Sequence, residues 1–214
     1  MILSSCLTVG ILLSCSPSYK QMQSPDSHRD ADVNVLQKFK PNFTVALYNT
    51  TVDVVGNHLS GLLLIKKMPD SSIRMVFSNE MGISFFDFEF KSDGNFKVYS
   101  IMRKLNKKSV IKTLQHDFEL ILMNNLDNSK VSVKTKDGLT YFIYPQNKGY
   151  NYYITNQSGD ELVRMERASN KKTIVEAVIG NFGKVQNFAK VAPDTIGISH
   201  KTFEFNIGLK RIER

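Results

Sequence analysis

From Asn42 onward the chain alternates apolar and polar residues with a period of two, in short runs. That spacing turns one side of a β-strand toward a core and the other toward water. The runs FTVALYN, TVDVV, LSGLLLIKK and SIRMVFSN are rich in β-branched and aromatic residues, which suit a pleated surface. Turn signals at Val55-Gly56-Asn57 and at Pro69-Asp70-Ser71-Ser72 interrupt them. ISFFDFEF and FKVYSI flank Asp93-Gly94, a strong hairpin signal. The pattern continues through KVSVKT, LTYFIYP, YNYYITN, ELVRMERA, TIVEAVIGNF, TIGISH and TFEFNIGLKRI. Short turns join most of these runs, so the sheet should be an antiparallel meander of about eleven strands.

One segment changes period. In NKKSVIKTLQHDFELILMNN the apolar residues Val110, Ile111, Leu114, Phe118, Ile121 and Leu122 recur at helical spacing and form a single stripe. Asn106 or Ser109 is placed to cap its start. A second, short helix is expected around Val33 to Phe39, stopped by Pro41. The fold class is therefore α+β, with a strongly curved antiparallel sheet, an open or half barrel, wrapped around one long helix. A single domain of this plan accounts for residues 33–214.

The first residues read differently. Ile2 to Ser14 are apolar or small, too short a stretch to span a bilayer core and suited to a secretory signal. The following SPSYKQMQSPDSHRDAD is rich in Ser, Pro, Asp and Gln and reads as a flexible tether. Both cysteines, Cys6 and Cys15, precede it, so a disulfide scaffold or a Cys-based metal site in the body is excluded.

Formal net charge is +8, spread over pairs such as Lys66-Lys67, Arg103-Lys104 and Lys107-Lys108. No run is long enough for a nucleic-acid arm. Solvated loop ends account for such pairs, and weak attraction to an anionic membrane surface or an acidic partner is the functional alternative. The four histidines, His28, His58, His116 and His200, form no metal-ligating spacing. His116 and Asp117 are adjacent on the helix and point about 100° apart. Asp87 and Glu89 share one strand face opposite Phe86, Phe88 and Phe90, the pattern of a half-buried strand with its polar side in water. There is no nucleophile elbow and no phosphate-cradling glycine loop. No catalytic residue, metal or cofactor is expected.

The aromatic surplus remains. Phe86, Phe88 and Phe90 on their strand, with Leu114, Phe118 and Ile121 on the helix, form either a packed core or the wall of a cavity for acyl chains. Met81, at the tip of the turn Asn79 to Gly82, is either packed on a neighbour or exposed.

Leu12-Leu13-Ser14-Cys15 resembles a bacterial lipobox. The resemblance implies a signal peptide over residues 1–14, a lipidated Cys15 and a tether over residues 15–32. Ser16 after the cysteine then implies the outer membrane. RMVFSNEMGISFFDFEFKSDGNFKV resembles the central hairpins of the LolB-type outer-membrane lipoprotein receptors of the broader LolB/LolA-like group. The resemblance lies in a strand, a turn of the form Asn-Pro-hydrophobic-Gly, an alternating strand, a Gly-containing turn and a following helix. Here the turn is Asn79-Glu80-Met81-Gly82, with Glu80 in place of Pro and Met81 in place of Leu. The closing PDTIGISHKTFEFNIGLKRI resembles the last strands of the same half-barrel group.

By that resemblance the chain is a monomeric, non-catalytic lipoprotein of the cell envelope, lipid-anchored in the outer membrane and facing the periplasm. Its implied partners are the membrane, the acyl chains of lipidated clients and a periplasmic carrier, with no nucleic acid. Met81 would be the protruding residue that touches membrane or acyl chain. The alternative is an accessory envelope lipoprotein with a filled core that acts through protein contacts.

Overall fold

The computed structural model describes residues 19, 22–24, 32–54, 56–124, 126–169, 172–180 and 192–213. Its strands are β1 (Val45–Val54), β2 (Asn57–Lys67), β3 (Ile73–Ser78), β4 (Ser84–Phe90), β5 (Phe96–Ile101), β6 (Ser132–Lys136), β7 (Leu139–Pro145), β8 (Tyr150–Asn156), β9 (Leu162–Ala168), β10 (Thr173–Gly180), β11 (Thr195–His200) and β12 (Phe205–Arg211). The helix α1 (Lys108–Leu122) lies between β5 and β6. A 3-10 helix, Val33–Phe39, precedes the sheet where the short helix was expected, and the Asp32 side chain caps its start.

All twelve strands form one sheet in the order β5-β4-β3-β2-β1-β12-β11-β10-β9-β8-β7-β6. Twelve strands among the described residues agree with the expected meander of about eleven. The runs FTVALYN and TVDVV merge into β1, because Asn49 and Thr50 continue the ladder opposite Leu62 and Gly61. Each later run forms its own strand. Every neighbouring pair is antiparallel, and β1 pairs with β12, so the first and last strands meet in the middle of the sheet. The two edges, β5 and β6, are the strands that α1 connects. The sheet therefore stays open, and the chain crosses its gap as a helix.

Alternation decides which side faces α1. Tyr48, Ile65, Met75, Phe88, Ile207, Ile198 and Ala177 are each 2% exposed or less and belong to one core with Leu114, Phe118 and Ile121 of the helix. The stripe read at helical spacing is thus the buried one: Leu114, Phe118, Ile121 and Leu122 are buried. Neither expected helix cap is used. Lys107 occupies the N-cap with no side-chain hydrogen bond. Asn106 belongs instead to the preceding turn, where its N–H donates to the Met102 carbonyl at 3.0 Å.

Alternation also breaks where both sheet faces are covered. Phe85 and Phe86 are both buried because a bulge shifts the register of β3 and β4. On β7 and β8 the outward-facing Tyr141, Ile143, Tyr152 and Ile154 form a second apolar cluster, packed by Tyr19 and Met22. Tyr19 stacks on Tyr152 with ring centroids 4.3 Å apart. Its hydroxyl donates to Glu166 and lies 2.8 Å from Thr173 Oγ1. Gln23 bridges Thr135 of edge strand β6 through backbone bonds of 3.0 and 2.9 Å. Part of the segment expected as a free tether is thus laid against the outer face, where it covers apolar rings and occupies a sheet edge.

Candidate functional site

The register puts the β1–β2, β3–β4 and β11–β12 turns at one rim, since Val54 pairs with both Asn57 and Phe205 while β2 carries the chain back to β3. Three large apolar side chains stand exposed there: Met81 at 83%, Ile83 at 56% and Phe203 at 44%. The turn that carries Met81 is firmly built. The Asn79 N–H donates to the Ile83 carbonyl at 2.9 Å, and the Asn79 Oδ1 accepts from the Ile83 N–H at 2.8 Å. The Gly82 N–H donates to the Asn79 carbonyl at 3.0 Å. Gly82 has φ +81° with open space around it, so a side chain there is opposed by the backbone conformation alone. At Gly61 of β2 an added Cβ would meet the Ser78 carbonyl oxygen and lie 2.9 Å from the Asn79 Cα, which sets the base of the turn close against its neighbour strand.

The six residues offered as a cavity wall touch one another. Phe86, Phe88, Phe90, Leu114, Phe118 and Ile121 are all 5% exposed or less. Phe86 stacks on Phe88 at 4.4 Å, and Phe118 lies 5.8 Å from Phe86 and 6.3 Å from Phe90, ring to ring. Three described cavities are lined by other residues. One, of about 780 Å³, lies over the outer face of the central strands and is bordered by Glu80 of the Met81 turn. Asn49, Thr51, Ser60 and Lys210 in its lining make it a poor bed for an acyl chain. Another, of about 620 Å³, includes Val45, Leu64 and Arg211. The third, about 250 Å³, lies at the opposite rim.

The Asp87 and Glu89 pair shares the outer face as expected, yet water does not solvate Glu89, which is 7% exposed. Its carboxylate accepts from Ser72 Oγ at 3.0 Å and Tyr99 OH at 3.1 Å. Asp87 receives two 2.7 Å bonds from Arg74, whose guanidinium lies over the Tyr99 ring. Both carboxylates are occupied by structural partners.

Pattern reading missed one polar pair. Asp117 on α1 and His200 at the end of β11 meet at 2.8 Å, with side chains 1% and 4% exposed. Burial raises the Asp117 pKa, and the His200 bond partly offsets that. His200 Nδ1 is buried with no hydrogen-bond partner among the described residues, and the ring is flanked by Phe203 and Phe205. The partners are 83 positions apart, so no local spacing could have revealed them. His58 forms an exposed pair with Asp53. Among the described residues no group of three or more His, Cys, Asp or Glu is placed to hold a metal ion, and no helix is long and apolar enough to cross a membrane. Cys6, Cys15, His28 and the signal expected over residues 1–14 lie outside the described residues.

No family model matches the chain. No curated protein matches it either. Solved structures are similar to it in fold. A LolA superfamily protein from Nitrosomonas europaea aligns with a TM-score of 0.48 at 9% identity, over 84% of this chain and 90% of that one. An outer membrane lipoprotein-sorting protein domain from Vibrio parahaemolyticus gives 0.47 at 8%, over 84% and 89%. A DUF1329 family protein from Desulfovibrio piger gives 0.43 at 10%, over 86% and 90%.

Proposed function

We propose that the chain is a non-catalytic, lipid-anchored protein of the bacterial envelope that engages acyl chains of lipidated clients, or the bilayer they enter, through its apolar rim. In this reading it sits at the outer membrane, is held there by an acylated Cys15, and acts in lipoprotein sorting beside a periplasmic carrier. The observation that carries it is Met81, 83% exposed at the tip of a turn that Asn79 and Gly82 hold in shape. A Met side chain left in water forgoes about 1.5–3 kcal/mol of burial. Single exposed apolar residues are ordinary, but Ile83 and Phe203 stand at the same rim. Apolar side chains on projecting turns of one rim fit transient contact with lipid, and Met adapts to irregular apolar partners.

Met81→Glu tests the reading. The exposed side chain contributes little to folding, so stability should stay within about 0.5 kcal/mol of wild type. Transfer of a lipidated client to liposomes should fall, because a carboxylate resists entry into hydrocarbon. Unchanged transfer with unchanged stability removes the rim from the function. Cys15→Ala should release the protein from membranes, since the polar segment after it gives almost no membrane affinity.

A second reading has its own support. The contacts among Phe86, Phe90 and Phe118 favour an accessory envelope lipoprotein with a filled core that works through protein contacts. Mass spectrometry of the purified chain separates the two, because stoichiometric co-purified lipid or lipopeptide belongs only to the first.

A further inference from the structure

The rim opposite Met81 gathers cations. Val45 pairs with Lys66, Lys67 with Ile73, and Ile73 with Phe90, so the β2–β3 loop, the β4–β5 turn and the entry to β1 share one end of the sheet. There a cavity of about 250 Å³ is lined by Lys40, Lys67, Lys91, Ser71, Ser92 and Asn124, among others, over a floor that includes Phe43 and Ile73. That volume is below the range of sites for drug-sized ligands and suits a compact ion.

Three ammonium groups on one small cavity repel unless something answers them. No ion pair joins any of the three to a carboxylate among the described residues. Asp70 and Asp93 stand near Lys91 and feel its charge. Asp70 is also engaged by Ser72, through its N–H and its Oγ. Neither aspartate answers Lys40 or Lys67. Lys40 is partly buried, and its pKa is lowered by that burial and then by Lys67. Asn124, just beyond the C-terminus of α1, brings the negative end of the helix to the cavity, but that end amounts to only about half an elementary charge. Nor is α1 served by its own sequence there, since its last turn carries no basic residue. The Ser71 and Ser92 hydroxyls and the Asn124 amide make no hydrogen bond among the described residues, so they add unused donors to the ammonium groups. Ser71 holds a φ of +66°, a conformation an L residue adopts at a cost, on the loop that edges the cavity.

We propose that this cavity is a binding site for a phosphate-type anion, held by Lys40 and Lys67 with Lys91 at its edge and hydroxyl donors from Ser71 and Ser92. The chemistry is the same whether the anion is free phosphate or the phosphomonoester headgroup of a lipid. The site lies at the rim away from Met81 and does not depend on the acyl-chain reading.

Isothermal titration of the full chain with inorganic phosphate tests it, beside sedimentation of the Cys15→Ser chain with phosphatidylcholine vesicles with or without phosphatidic acid. The Lys40→Gln/Lys67→Gln double variant and, as a control, Lys112→Gln are carried through both arms. Charge-assisted contacts of this kind are each worth about tenfold or more in affinity. The double variant should therefore lose at least about tenfold, and the control should lose nothing. Phosphate binding lost in the double variant supports the site with a free anion as its ligand. Binding confined to phosphatidic acid vesicles, and lost in the double variant, supports it with a headgroup as its ligand. Absence of binding in both arms overturns the proposal, as does binding that the double variant retains.

Discussion

Truncating Phe118 to alanine asks the question on which the two functional readings divide. Phe118 is 1% exposed and its ring meets Phe86 and Phe90 of β4 at 5.8 and 6.3 Å. A Phe→Ala change in a filled core removes one buried ring and leaves a cavity, and costs about 3–5 kcal/mol. The two aromatic contacts lie within that range at about 0.5–1.5 kcal/mol each. We expect a loss of about 4 kcal/mol. In a domain of this size each kcal/mol lowers Tm by about 2–4 °C, so thermal unfolding should move down by about 8–16 °C. Urea unfolding followed by circular dichroism should show an earlier midpoint at an unchanged slope.

The reasoning is refuted by a loss below about 1 kcal/mol, which would mean that α1 is loosely seated and that little packing was removed. A companion measurement sharpens this outcome. An apolar cavity that excludes water binds small apolar molecules. Benzene should therefore raise the Tm of Phe118→Ala and leave wild type unmoved, since a ligand stabilises only the state that binds it. If wild type is itself stabilised, the interior already holds open space, and acyl-chain carriage gains over the filled-core reading.

Asp117→Ala should cost about 3 kcal/mol by stranding His200, whereas Asp117→Leu combined with His200→Phe should recover most of the loss; denaturant midpoints of the single and double variants check this. Tyr19→Ala removes a ring stacked on Tyr152 and a donor to Glu166, so about 1–2 kcal/mol should be lost and hydrogen exchange at Thr135 should quicken as Gln23 leaves the β6 edge. His116 has its pKa lowered from 6.5 to about 4, chiefly by burial and then by Arg167 and Lys112. Below 6.5 the unfolded chain takes up a proton that the folded one refuses until about 4. Stability should fall as pH drops through that window. The full linkage of ~3 kcal/mol is reduced by the ring's partial exposure to about 1 kcal/mol. His116→Gln should flatten the pH profile between those values, read as Tm against pH.

Much of the architecture was open to pattern reading because two periods carry it. Leu114, Phe118 and Ile121 announced the buried face of α1, and Phe86, Phe88 and Phe90 announced the face of β4 that meets it. Period fails where both faces of a strand are covered. LTYFIYP is almost continuously apolar and YNYYITN holds the consecutive apolar residues Tyr152, Tyr153 and Ile154, which signals burial on both sides, but nothing in them says what lies outside. The cover is Tyr19 and Met22, from a segment whose composition reads as unstructured. The Tyr19 ring on Tyr152, its hydroxyl on Glu166 and the Gln23 bridge to β6 hold the described part of that segment in place.

The Asp117–His200 pair and the lysine cavity were hidden for different reasons. The first needs the crossing of α1 beneath β11, which no local spacing encodes. The second follows from parity. In an antiparallel meander every second turn lies at the same rim, so the turns at Pro69–Ser72 and at Asp93-Gly94 share one rim and the Met81 turn takes the other. Lys67 and Lys91 border turns of one parity, and each looks like an ordinary solvated loop end when taken alone. Met81 belongs to the opposite parity. The strand count therefore puts Lys67 and Lys91 at the rim opposite Met81 before any side chain is placed, and an even number of strands between two turns keeps those turns at the same end.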